Sequence, residues 1–478
     1  MQPKAIFDFF SQINKVPRPS KNEGKMREYL KNVAEKYNLG FLTDQVGNVL
    51  ISAPASPGFE NSDGIVIQGH MDMVCEEIKG LNFDFENQPI DAYVDGEWMK
   101  AKGTTLGADD GIGVAMALAL VTDPNVKHGP VQCLFTMDEE SGMTGAFGLK
   151  PGFMTGKYLI NLDSEDEGEL FIGCAGGETT NASFHFDSLP LEPGFVPLKL
   201  EIDKLQGGHS GDDINKKRAN AIKLMARFIY LTSKKYELKL LKFVGGNKHN
   251  AIPRYAEAII AVPMADKENI RVDFNLFAAD VEGEFYVQET EMAFILQSEQ
   301  MEAPRYIQPE VADKFILALQ ALHNGVQEMN QDIEGLVETS SNLASVRQNE
   351  NSLDIVVSQR SATDSALDNV RNTVAAVFEL AGADVRFSDR YPGWKPDTNT
   401  NILKVAVQAY NELFGKQPVV RAIHAGLECG LFATKYPNME MISFGPTLRN
   451  VHTPQEMLLI PTVEMAWKLL VDIVEKLK

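Results

Sequence analysis

Five residues able to bind a metal stand where predicted strands run out, and no other feature limits the fold so tightly. The stretch 64–68 (GIVIQ) passes through Gly69 into His70-Met71-Asp72. The loop 103–109 (GTTLGAD) delivers Asp109 to an apolar helix predicted over 112–120. The strand 131–137 (VQCLFTM) runs into Asp138-Glu139-Glu140, and the strand 157–162 (KYLINL) into Asp163. Later, 441–444 (MISF) leads through Gly445-Pro446 toward His452. Open α/β sheets bind ligands outside the carboxyl ends of their strands. Two histidines and three carboxylates gathered there can hold two divalent ions. With one ion the shell keeps excess negative charge, part of it desolvated, which is costly. Mixed nitrogen and oxygen donors suit zinc, with manganese or cobalt as substitutes.

Composition narrows the setting. A chain of 478 residues is too long for one ordinary core, so two domains are expected. The N-terminal stretch lacks a signal-peptide core, and no segment reaches transmembrane length. A net charge of −21 argues against a nucleic acid or an anionic membrane as partner. Cys75, Cys133, Cys174 and Cys429 are scattered without metal-finger spacing, which reads as thiols in a reducing, cytoplasmic compartment.

Residues 1–188 alternate strand-like and helix-like segments in the α/β manner. LPLEPGFVP (189–197) reads as a linker, followed by a strand at 198–202 and a helix at 220–231. The same order recurs at 352–359 and 365–381, which predicts an inserted domain over 189–389 with two related halves. A second linker, RYPGWKPD (390–397), returns the chain to an α/β pattern over 390–478. The expectation is a discontinuous α/β domain, a mixed sheet flanked by helices, interrupted by an α+β insert that acts as a lid. The acids at 165–169 read as a solvated run and Asp138 as a loop acid.

Six motifs stand in register along the chain: HMD at 70–72, GTTLGADDGIG at 103–113, DEESG at 138–142, NLDSE at 161–165, GGHSG at 207–211 and VHTPQE at 451–456. Together they resemble the M20 di-zinc peptidases, most of all the cytosolic Xaa-His (aminoacyl-histidine) dipeptidase branch, from the N-terminus to the last helix. The resemblance implies a zinc-peptidase fold in which His70 and Asp163 bind one metal, Glu140 and His452 the other, and Asp109 bridges them. It further implies a cis peptide between Asp109 and Asp110, Asp72 orienting His70, Glu139 as general base, and His209 reaching from the lid to the scissile carbonyl. Many members carry lysine where this chain has Gly111.

Arg360, at the end of a predicted strand, is a candidate clamp for a substrate carboxylate, because guanidinium pairs with it bidentately. Asn250 and Arg254 in NAIPR form a second candidate set, and His424 in HAGLECG is one candidate among several for lining the specificity pocket. The implied activity is hydrolysis of dipeptides, Xaa-His or a broader range, by a metal-bridged water. An N-acyl amino-acid deacylase on the same scaffold remains an alternative, as does a non-catalytic binding protein, which the complete ligand set opposes. An aminopeptidase for longer chains would need an open cleft, against a two-half lid. Lids of this family often form homodimers, while an insert of two halves could take the partner's place within one chain.

Overall fold

Near-continuous apolar runs such as VQCLFT belong to strands covered on both faces, and four of them form the centre of a sheet. In the computed structural model, which describes residues 1–331 and 333–477, Val131–Thr136, Ile65–His70, Tyr158–Asn161 and Glu440–Ser443 lie side by side in that order. Each neighbouring pair is parallel, so all four C-terminal ends meet at one edge. Val49–Ala53 and Gly40–Thr43 extend one flank, and Glu169–Cys174 and Val419–Ile423 the other, making eight strands. His70 is the last residue of its strand rather than a loop residue beyond it.

The helix Ala108–Thr122 packs on the central strand, with Lys4–Ile13 against it. Its first turn is not helical: Asp109 and Asp110 have ψ of 112° and 33°, and the peptide between them is cis, as the resemblance implied. A small sheet pairs Met457–Leu459 with Trp98–Ala101. It draws the loop before Met457, which holds His452, toward the loop that holds Asp109.

The chain divides into two compact units. One comprises Met1–Gly173, Trp394–Ala422 and Leu427–Lys478; the other Cys174–Gly393 and Ile423–Gly426. These divisions differ from 188/189 and 389/390 for a physical reason. The stretch 189–197 is no linker, because Ser188–Pro190 pairs with Arg305–Ile307 and Phe195 already begins a strand. Only Pro193 and Gly194 mark the turn between two strands, with Pro190 and Pro197 inside the strands themselves. His424 accordingly belongs to the second unit, not the first.

The second unit contains β1 (Gly176–His185), β2 (Phe195–Asp203), α1 (Ala221–Ser233), β3 (Lys239–Gly245), β4 (Ala256–Pro263), α2 (Lys267–Phe285), β5 (Ala293–Ser298), α3 (Pro309–Ala321), β6 (Val337–Gln348), β7 (Ser352–Ser361), α4 (Asp364–Leu380) and β8 (Asp384–Tyr391). Their sheet runs β5-β2-β4-β3-β6-β7-β1-β8, with Gly325–Met329 also paired to β6. Both halves are β-α-β-β-α-β: β2-α1-β3-β4-α2-β5 sits within β1-α3-β6-β7-α4-β8. The sheet order of one half is the mirror of the other, and they join where Gly245 pairs with Val346. Beneath them runs one apolar core, in which Phe315 meets both Phe184 and Phe243 edge-on. No helix among the described residues is long and apolar enough to cross a membrane.

Candidate metal centre

Strand ends in the first unit bring the acids and histidines together. His70 is buried, with Nε2 at 3.0 Å from Asp109 Oδ1 and 3.5 Å from Asp163 Oδ1. His452 Nε2 stands 3.1 Å from Asp109 Oδ2 and 3.0 Å from Glu140 Oε2. Asp109 thus turns one carboxylate oxygen to each histidine. Asp110 points away and accepts from the Gly113 N–H at 3.1 Å, capping the helix.

These spacings fit two divalent cations. Bonds of about 2.0–2.1 Å to a tetrahedral ion leave neighbouring donor atoms about 3.3 Å apart, as between each histidine and its carboxylates. Donor atoms of His70, Asp109 and Glu140 all lie within 4.8 Å of one another. The Asp109 and Glu140 carboxylates push the His452 imidazole up to about 11, so the position between them favours a positive charge. The buried Oε1 of Glu140 has no partner.

Asp72, fully buried, braces the acidic turn. Its Oδ1 accepts from the Glu139 N–H at 3.0 Å, and its Oδ2 from the Glu140 N–H at 3.2 Å and the Ser20 hydroxyl at 2.8 Å. Burial pushes this carboxyl up, but its contact with His70, its hydrogen bonds from Ser20 and Glu139, and the His70 charge hold it down at about 2. His70 Nδ1 faces Asp72 Oδ1 at 3.4 Å, too long for a closed hydrogen bond. Burial raises the Glu139 carboxyl well above the usual range, and the neighbouring Glu140, Glu428 and Asp109 add to the rise.

Two buried supports carry no signal as motif ligands. Glu456, the last residue of VHTPQE, accepts four backbone N–H groups: Leu106 and Gly107 on Oε2 at 2.7 and 2.9 Å, Ala108 and Asp109 on Oε1 at 2.7 and 3.2 Å. It holds the loop that presents Asp109. Arg18, between Pro17 and Pro19, donates to the carbonyls of Met71, Asp72 and Gly107. A Cβ on Gly111 would stand 2.6 Å from Arg18 Nη2, so the arginine occupies the space that a side chain at 111 would need. Asp138 is buried rather than a solvated loop acid, and its N–H donates to Glu23. The run 165–169 is also only partly solvated: Glu167 accepts from Tyr410, and Glu169 lies in a strand beside Arg421.

The remaining candidates belong to the second unit. Gly208–His209 pairs with Ala251–Ile252, which sets GGHSG beside NAIPR. The His209 ring accepts from the Gly211 and Asp212 N–H groups at 3.3 Å. Arg360 is nearly buried; its Nη1 donates to the Tyr391 hydroxyl at 2.9 Å and its Nη2 to Ser210 at 3.5 Å, while Nε has no partner. His424 bonds Ser340 at 2.7 Å, and burial, with the charge of Arg360, pushes its imidazole down to about 3. Asn250 bonds Ser210 through its carbonyl. Arg254 is exposed, with Nε on the Leu205 carbonyl, the position of a loop brace.

Residues 66–476 match the profile of peptidase family M20/M25/M40. The chain is 40% identical over 477 residues to the cytosol non-specific dipeptidase of Escherichia coli strain K12, covering 100% of this chain and 98% of that one. The crystal structure of aminoacylhistidine dipeptidase from Vibrio alginolyticus superposes with a TM-score of 0.92 at 40% identity, covering 100% and 97% of the two chains. Aminopeptidase PepT from Bacillus cereus shares the fold, with a TM-score of 0.59 at 17% identity over 99% of this chain and 98% of that one.

Proposed function

Because this chain belongs to peptidase family M20/M25/M40, we propose that it is a metal-dependent dipeptidase of the cytosol, acting on Xaa-His or a broader range of dipeptides. The observation that carries the reading is Asp109, one carboxylate turned to two histidines. His70 and Asp163 are assigned to one ion, Glu140 and His452 to the other, and Asp109 to both. Zinc suits the mixed donors, with manganese or cobalt able to replace it.

Two ions held there would supply an acidified water and the polarisation of a carbonyl oxygen. The chain's own groups do the rest. Glu139 accepts the proton of the attacking water and returns it to the leaving amine. Asp72 fixes the backbone from which Glu139 and Glu140 project. His209 is assigned to the carbonyl oxygen and Arg360 to the free carboxylate of the substrate. Tyr391 holds one arm of that guanidinium, so the fork is set before substrate arrives. The second unit serves as a lid.

Protein stripped with chelator and reloaded with zinc, manganese or cobalt is offered dipeptides, tripeptides and N-acetyl amino acids. Dipeptides, Xaa-His among them, should turn over fastest. Faster cleavage of N-acetyl amino acids would make the protein a deacylase. No turnover by protein carrying two metal equivalents would leave only a binding role.

A further inference from the structure

Glu428, in HAGLECG, has no part in the scheme above, and its surroundings are unusual for a carboxylate. It is buried at 1% exposure, and the hydrogen bonds to its carboxylate come from neutral side chains. An unpaired buried carboxyl is costly unless hydrogen bonds compensate. Its Oε2 accepts two, from Gln68 Nε2 and from the Thr136 hydroxyl, each at 2.7 Å. Its Oε1 is buried without a partner.

Those bonds begin a chain across four adjacent strands. Gln68 Oε1 accepts from Asn161 Nδ2 at 2.6 Å. Asn161 Oδ1 accepts from the Ser443 hydroxyl at 2.5 Å, and Ser443 meets the Ser164 hydroxyl at 2.6 Å. Thr136, Gln68, Asn161 and Ser443 come one from each of the four parallel strands, in sheet order. Residues two apart on a strand share a face, so Gln68 lies one layer beneath His70 and Asn161 one layer beneath Asp163. Asn161 Oδ1 also accepts from the Asp163 N–H at 3.4 Å.

With the Gln68 and Thr136 donors both on Oε2, that oxygen must accept from each, so it dictates every orientation after it. Gln68 must turn its NH2 to Glu428 and its carbonyl to Asn161. Asn161 must then give its NH2 to Gln68 and its carbonyl to Ser443. Building on the metal-centre reading above, we propose that Glu428 is a positioning residue: it sets the direction of a hydrogen-bonded belt that fixes the strand ends carrying His70, Glu139 and Asp163.

The test uses Glu428→Gln, which keeps the shape but allows either orientation, and the double variant Glu428→Gln/Gln68→Glu, which moves the acceptor one link along and restores a single direction. Zinc affinity is measured by chelator competition on the metal-free full chain, beside its thermal melt and the kcat and KM of reloaded protein. Glu428→Gln should keep a cooperative melt yet lose ~10-fold or more in zinc affinity, the scale for removing an outer partner of a metal ligand. Its kcat should fall with KM nearly unchanged, and the double variant should recover most of both losses. Wild-type affinity and kcat in Glu428→Gln would overturn the proposal, as would a double variant no better than the single. If Glu428→Gln does not fold, the double variant decides alone: binding zinc supports the belt, and failing to bind overturns it. Wild-type protein that holds no zinc would instead sink the metal-centre reading itself.

Discussion

Replacing Glu456 by glutamine changes one oxygen for an NH2 group and should disable the loop that presents Asp109. The carboxylate accepts four N–H groups, two on each oxygen. Hydrogen bonds to a charged acceptor contribute about 1.5–3 kcal/mol each. Glutamine keeps one oxygen and two bonds, now neutral, and turns two donors against two donors at its other end. The two lost bonds alone amount to ~3–6 kcal/mol, with local loop opening the escape that caps the cost. For a unit of this size each kcal/mol moves a melting point by ~2–4 °C. The unfolding transition of the first unit should therefore drop by ~6 °C, the low end of that range. Bound metal should also fall, because Asp109 is the residue released. Calorimetry and elemental analysis of Glu456→Gln and Glu456→Ala, side by side, make the check sharp. Glutamine fills the space better than alanine, so ordinary packing predicts that it is much the milder change. The donor clash predicts that it is no milder. A Glu456→Gln protein that melts within ~2 °C of wild type and carries two metals would refute the reasoning.

Glu139→Gln should lower kcat by at least ~10²-fold with metal content unchanged, the scale for a general base; loss of metal would exchange the roles of Glu139 and Glu140. Arg360→Ala should cost ~2–5 kcal/mol in kcat/KM for a free dipeptide, as for one partner of a buried charge pair, and much less for the C-terminal amide. Equal losses on acid and amide would mean that Arg360 only braces the second unit. His424 takes up its proton far more readily unfolded, near pH 6.5, than folded, where its value is about 3. Its contribution is therefore intact above pH 6.5 and is lost as pH falls toward 3, by up to ~1.4 kcal/mol per pH unit. His424→Gln should flatten the acid limb of the second unit's stability, and an unchanged limb would place the cause elsewhere.

The ligand-bearing strands were readable because their signal is local: an apolar run, then an acid or a histidine within a few residues. Glu456 stands in a quoted motif, yet its task depends on amides some 350 positions earlier, and no local pattern announces that. Arg18 is equally silent, since a lone arginine between prolines reads as surface. The stretch 189–197 misled because proline and glycine punctuate short turns between strands as well as linkers. The helices α2 and α3 are a different case. Ile270, Phe274, Phe277 and Val281 carry a plain helical period, as do Ala312, Phe315, Ile316 and Leu319. That signal is in the sequence, although no motif draws the eye to it.

The nesting of one half of the second unit inside the other also orders events on the ribosome. Strands β2 to β5 and their two helices are contiguous, so they can assemble as soon as they emerge. Strand β1 has left the exit site before any of them, but its partners are β7 and β8. At roughly 5–20 residues per second, the wait from Gly176 to Ser361 is ~10–40 s. Throughout it β1 holds two unpaired edges and the apolar side chains of Ala182 and Phe184. The oldest strand of this unit is thus among the last to be satisfied, and chaperone capture or premature aggregation should centre on residues 176–185.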